Sequence, residues 1–210
     1  MSATLGPIHY WMYNKIKVQN SLVDEIISFT ENKYISSDLR SKSDQQFGSI
    51  DVRPLEELID TTNIHGWLQE CASIVEYRLA FVITTLLKEE MYTIESLKKM
   101  FENAGTGASS LNKEASISDI YKRINDTLLD GMPCDHANTV LSQDEDEVIW
   151  KRNVCVHEQY WVAVGGDIKY YYLLREEFIK GMISNTSVIF EKVDELTSKL
   201  RAKERCKIYE

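Results

Sequence analysis

Apolar side chains recur every three or four positions from Trp11 through Met12, Ile16, Leu22, Val23 and Ile26 to Ile27, a spacing that lines one face of an α-helix. Pro7 suits the first turn of that helix, where its missing N–H costs no hydrogen bond, so a long amphipathic helix is predicted over 7–29. Between 33 and 53 the chain turns polar (Ser36, Ser37, Ser41, Ser43, Asp44, Gln45, Gln46) and no apolar period survives. This stretch is expected to be a long polar loop, of a length that makes it either suspect as a loop or functional. Pro54 then opens a short helix. A second, more apolar one follows over 64–90, where Trp67, Leu68, Cys71, Ile74, Val75 and Leu79 begin a face wide enough for the middle of a bundle.

Both ends of the next helix, 94–104, are signalled: Thr93 can accept a first-turn N–H, and Gly105 can take the left-handed conformation just past the end. Ser116 and Asp119 have the spacing of a capping box, Ile117, Ile120, Tyr121, Ile124 and Leu128 supply the stripe behind it, and Gly131 with Pro133 marks the stop. The segment 134–157 is the least helical; Val148, Trp150, Val154 and Val156 partly alternate, which predicts a short extended stretch. Gly165 and Gly166 break the chain before Asp167, the N-cap of a helix carrying Tyr170, Tyr171, Leu174, Phe178, Ile179 and Met182, and a final helix is expected over 186–205. The expected fold class is therefore mainly α: a single domain over 1–210, a multi-helix bundle of six or seven helices with short antiparallel connections and one irregular insert, part β, at 134–157.

Composition narrows this picture rather than changing it. With 210 residues, 43% hydrophobic and 27% charged, the chain can bury a sizeable core, and 9 Gly with 3 Pro is too few for a sandwich or barrel that turns every eight to twelve residues. A formal charge of −9 opposes counterion release, so no nucleic-acid partner is expected. The longest apolar stretch, 79–87, is far short of a bilayer span, so no membrane partner is expected either. Residues 1–7 lack the basic residue and apolar run of a signal peptide, which points to a cytoplasmic chain. In such a compartment the four Cys would be buried thiols, metal ligands or reactive groups rather than disulfides.

One constellation carries chemistry. Cys134-Asp135-His136 and Cys155-Val156-His157 form two C-x-H triplets that use two of the four Cys and two of the four His. Thiolate and imidazole suit Zn²⁺ or Fe²⁺, and a Cys₂His₂ set would complete a tetrahedral shell if both triplets are extended, since residues two apart share a face only on a strand. The other reading is that both Cys are small buried thiols and both His hydrogen-bond locally. Two I-H-x-W strings, at Ile8-His9-Tyr10-Trp11 and Ile64-His65-Gly66-Trp67, put histidines near helix starts, where a neutral imidazole is favoured by the dipole. His9, His65, Trp11 and Trp67 are thus candidates to hold a ligand or planar cofactor such as haem, against the plainer reading of two core tryptophans and two surface histidines. The acidic run 144–147 lacks the spacing of a calcium loop and reads as a solvated turn.

The leading functional expectation is a metal-binding helical protein or a metal-dependent enzyme acting on a small molecule, with Zn or Fe on Cys134, His136, Cys155 and His157 and with Asp135 or Glu158 as the nearby base. An alternative is a metal-free helical module that binds a ligand or forms a homodimer. A further one is a hydrolase or transferase in which Cys155 or Cys134 attacks and a histidine serves as base.

Overall fold

The computed structural model describes residues 5–203, which form eight α-helices and a small antiparallel sheet. The chain is mainly helical. The first helix, α1 (Pro7–Lys33), begins with Pro7 as read, and it packs along α4 (Ile64–Lys88). Contacts between equivalent levels give their relative direction: His9 meets His65, Tyr13 meets Trp67, Asn20 and Asp24 meet Arg78, and the Tyr34 hydroxyl donates to the Met91 carbonyl. The two long helices are therefore parallel, and the expectation of short antiparallel connections fails at this step. A parallel pair needs a connection that travels back along the bundle, and residues 34–63 provide it.

That return is not the loop its polarity suggests. It contains α2 (Leu39–Phe47) and the single turn α3 (Leu55–Leu58), which starts just after Pro54. The nine-residue α2 has no apolar stripe; it buries Leu39 and Ser43 and is tied to the bundle by charge. Arg78, 1% exposed on α4, donates to Asn20 Oδ1 (2.6 Å), to Asp24 Oδ1 (3.0 Å) and to Asp44 Oδ1 of α2 (3.0 Å). A guanidinium presents its donors in a fixed fork, so one side chain can hold three helices in register.

The capping residues act as read. Thr93 accepts from Ser96 N at the start of α5 (Ile94–Gly107), Ser116 from Asp119 N at the start of α6 (Ile117–Thr127), and Asp167 from Lys169 N at the start of α8 (Ile168–Met182). Gly131 and Gly165 adopt positive φ at the turns they were read to mark. Gly105 does not end its helix. It lies inside α5, which runs on to Gly107, and its role is close approach: a Cβ there would fall 2.0 Å from the Phe178 carbonyl oxygen of α8. Gly181 answers it, since its Cβ would fall 2.0 Å from the Glu102 carbonyl oxygen of α5.

The insert and the C-terminal segment together build a four-stranded antiparallel sheet. β1 (Asn138–Gln143) and β2 (Glu147–Arg152) form one hairpin, β3 (Val188–Lys192) and β4 (Thr197–Ala202) a second, and β2 pairs with β4 to give the order β1-β2-β4-β3. The helix expected over 186–205 is thus a hairpin as far as residue 203, and the remainder of that expectation, with Cys206, lies outside the described residues. Lys199, Arg201 and Lys203 alternate with Ser198, Leu200 and Ala202, which is the period of a strand. The acidic run is the first hairpin's turn, where Asp144 Oδ1 accepts from the Asp146 and Glu147 amides, both at 2.8 Å. The sheet lies against α6 through Val148, Trp150 and Leu200, with the Tyr121 ring 5.2 Å from that of Trp150. Between residues 158 and 163 a short helix, α7 (Glu158–Ala163), inserts Trp161 fully into the main core. No helix among the described residues is long and apolar enough to cross a membrane.

Gly105→Ala or Gly181→Ala should each destabilise the protein by about 3 kcal/mol, because the added methyl meets carbonyl oxygens that neither helix can move without separating from the other. Urea unfolding checks this, with Gly107→Ala as the control: its Cβ would meet nothing within 4 Å and should change little. Equal midpoints for all three variants would contradict the close helix approach.

Candidate functional site

His157 of the second triplet lies at the N-terminal end of α7, 3% exposed, and neither imidazole nitrogen is free for another ligand. Nδ1 is 3.0 Å from Glu76 Oε2 on α4, and Nε2 is 3.5 Å from Asp130 Oδ1 in the segment after α6. Tyr171 of α8 covers the ring, with centroids 4.0 Å apart. Asp130 is gripped in turn by Arg175 of α8, whose two terminal nitrogens reach its two oxygens at 2.6 and 2.7 Å, while Asn138 Nδ2 adds a third hydrogen bond at 2.9 Å. Four elements thus converge on one buried row of alternating charge: Glu76, His157, Asp130, Arg175.

The electrostatics follow from this order. Burial opposes the imidazolium, but the Glu76 charge and the hydrogen bonds to Asp130 and Glu76 outweigh it, and the His157 pKa rises from 6.5 to about 9. Burial likewise opposes ionisation of Asp130, yet Arg175 and His157 hold its carboxyl well below the usual carboxylate range. Arg175 stays charged: burial is overcome by Asp130. The His157 imidazolium, the Asp130 carboxylate and the Arg175 guanidinium are therefore all held in their charged forms. One further buried cation stands near the row. Lys15 of α1, 2% exposed with its Nζ 3.7 Å from the centre of the Trp11 ring, has its pKa lowered to about 8 by burial, partly countered by Asp130.

A pocket of about 200 Å³ opens on the Glu76 side of His157, with Gln69, Glu76, Asp135, His157, Gln159 and Tyr160 among its walls. Glu76 Oε2 is taken by His157, but Oε1 is buried with no hydrogen-bond partner among the described residues. On the opposite side of the ring a crevice of about 40 Å³ touches Asp130, Arg152, Tyr172 and Arg175. Cys155 sits beside it, half-buried, its sulfur accepting from the Tyr172 hydroxyl at 3.0 Å.

The two triplets are not brought together as one ligand set. Cys134 is exposed in a single 3-10 turn, Pro133–Asp135, and His136 is exposed just after it with φ 48°, while His157 has turned inwards to its carboxylates. Among the described residues no group of three or more His, Cys, Asp or Glu side chains is arranged to hold a metal ion. The reason is conformational: β1 and β2 do form, but each triplet falls outside them, in a turn and in the approach to α7. Asp135 does reach a pocket, the one on Glu76, and is oriented by the Met132 amide at 2.8 Å. Glu158 is exposed.

His9 and His65 meet, their ring centroids 5.6 Å apart, and His9 Nδ1 accepts from Gly6 N at 2.9 Å. Trp11 donates to Asp126 and Trp67 packs on Tyr13, so both tryptophans have structural partners. His65 precedes Glu76 by eleven residues of α4, about 17 Å of helix, so this pair is separate from the His157 row. Glu76, Asp130 and Arg175 were not singled out as site residues from sequence. A signal existed for the first: Glu76 and Arg78 are charged residues in the midst of a helix whose neighbours are apolar all round. No family model, curated protein or solved structure matches the chain.

Because the folded pKa of His157 is raised, its stabilisation is complete below the ordinary 6.5 and is lost as pH rises through about 9. The shift corresponds to about 3 kcal/mol. Asp130 acts in the other direction, its contribution being present above the ordinary 3.8 and lost as pH falls below it. His157→Gln should cost about 3–5 kcal/mol at pH 7, since it leaves two buried carboxylates with one cation. It should also flatten the alkaline limb of the urea midpoint between pH 7 and 10. Parallel midpoint curves for wild type and variant would show that the imidazole is not the titrating group.

Proposed function

We propose that the chain is a small-molecule-binding protein whose ligand enters the pocket of about 200 Å³ and donates hydrogen bonds to Glu76. The observation that carries this reading is Glu76, which lines the polar pocket and whose Oε1 is buried without a hydrogen-bond partner among the described residues. A buried acceptor left unpaired costs about 1–3 kcal/mol, so a donor that reaches it gains correspondingly. Glu76 and Asp135 against one imidazolium leave the pocket with a single net negative charge, which favours a monocation. The volume lies below the roughly 300–1,000 Å³ of pockets that enclose drug-sized molecules. A small primary amine or amidine fits both criteria.

This is the metal-free ligand-binding alternative, now given a place and a ligand class. The Cys/His metal reading, with Zn or Fe, has less support because its donors lie in separate surroundings, and nothing in the His9, His65, Trp11, Trp67 group favours haem. The same pocket also contains the elements of proton transfer. Glu76 is a carboxylate fixed from behind by an imidazolium, which is how a base is oriented towards a bound substrate. That extension adds a reaction to the binding site and uses Asp135, the base expected from sequence, as its second carboxylate.

Ligand-observed NMR against small primary amines and amidines, paired with carboxylates of the same size, tests the proposal. The cations should bind and the acids should not, and Glu76→Gln should weaken the best cation about tenfold or more, the worth of a charge-assisted hydrogen bond. Equal binding of acids and amines, or a folded Glu76→Gln protein with unchanged affinity, would overturn it.

A further inference from the structure

A larger concavity lies away from the His157 row, between α1 on one side and α5 with α6 on the other, with Phe178 of α8 also in its wall. It measures about 930 Å³. Its apolar lining includes Val18, Leu22, Ile26, Phe29, Met100 and Ala104, and Phe29 is 55% exposed. A much smaller pouch of about 40 Å³ adjoins it, for the two share Val18, Leu22, Thr127 and Phe178. The pouch reaches into the core at Leu79, Ile83, Trp161 and Leu174.

The buried polar atoms that the lining residues leave unpartnered are all donors. Gln19 and Trp161 line the pouch and Arg123 the cleft, and Gln19 Nε2, Trp161 Nε1 and Arg123 Nε are buried N–H groups without partners among the described residues. No acceptor in either wall is in that condition among the described residues. Among the described residues Arg123 has no ion-pair partner, and its hydrogen bond, at 2.7 Å, goes to the Ala108 carbonyl. The charges that line the cleft balance, Lys17 and Arg123 against Glu25 and Asp126. Asp126 is matched by Lys122 and Trp11, and Lys17 stands against Glu25. Buried donors are nearly always satisfied in a folded protein, so three of them around one apolar cavity describe the ligand's complement.

We propose that this cleft binds an amphipathic carboxylic acid, its carboxylate on Arg123, its apolar body along α1 and α5, and an oxygen at its far end accepting from Trp161 and Gln19. The size of the pouch decides what enters it. A single water needs about 10–15 Å³ measured in the same way, so 40 Å³ admits a terminal hydroxyl or keto group but not a chain. A guanidinium offers a bidentate fork for the carboxylate, which fixes the head at the cleft.

Isothermal titration of the full chain with decanoate, dodecanoate, their ω-hydroxy derivatives and dodecyltrimethylammonium tests the assignment without any substitution. The acids should bind, the ω-hydroxy acid of fitting length about 3–10-fold more tightly than its parent, and the quaternary ammonium far more weakly. Arg123→Gln should weaken both classes of acid about tenfold or more. Gln19→Leu should abolish the preference for the hydroxylated chain while leaving the parent acid unchanged, and circular dichroism establishes that each variant is folded. Cation binding equal to acid binding, or affinity indifferent to Arg123, would overturn the proposal. So would sedimentation showing concentration-dependent dimers that the acids neither bind to nor dissociate, since a second copy would then be the occupant of the cleft.

Discussion

Four ionisable side chains from four separate stretches of the chain meet in the interior, and the arrangement of the helices follows from keeping them paired. Glu76 belongs to α4, Asp130 to the link after α6, His157 to the start of α7 and Arg175 to α8. A lone buried charge in this setting would cost several kcal/mol, so each element is held to within hydrogen-bond distance of the next. The contact is directional in a way that apolar packing is not. A helix that slid by one turn, about 5.4 Å, would keep most of its hydrophobic contacts and lose its counter-ion altogether.

Such a row contributes less to net stability than its short distances suggest, because an apolar set of the same volume is often as stable. Its value lies in what it specifies. Arg78 does for α1, α2 and α4 what Arg175 does for α8 and the link at Asp130: a fixed fork of donors sets register where the surrounding apolar surface would permit several. The parallel pairing of α1 with α4 depends on this. Their polar return through α2 is brought down onto the bundle by Asp44, which reaches Arg78, together with buried Leu39 and with Phe47 stacked on Tyr77.

Much of the helical frame was legible from local chemistry. Pro7, Thr93, Ser116 and Asp167 begin helices because each does something an orphan N–H requires, or lacks that N–H, and these effects need no tertiary context. Gly131 and Gly165 mark turns because their φ is positive. Gly105 was misread because close helix packing and a helix end ask for the same residue, and only the presence of Gly181 on the facing helix distinguishes them. The β3–β4 hairpin was hidden for a related reason: a short run ending in Lys199, Arg201 and Lys203 resembles the basic end of a helix as readily as the outer face of a strand. Of the site, His157 and Asp135 were legible, but as a metal ligand and the base beside that metal. Their true surroundings come from residues 76, 130 and 175, and no spacing in the chain relates these to one another.

The central claim is that His157 is an imidazolium held between two carboxylates, and the most direct measurement is an NMR titration of its ring nitrogens. The account predicts two protonated nitrogens at pH 7, with the transition to the neutral ring centred near pH 9. A neutral ring at pH 7, titrating at or below the ordinary 6.5, would contradict it.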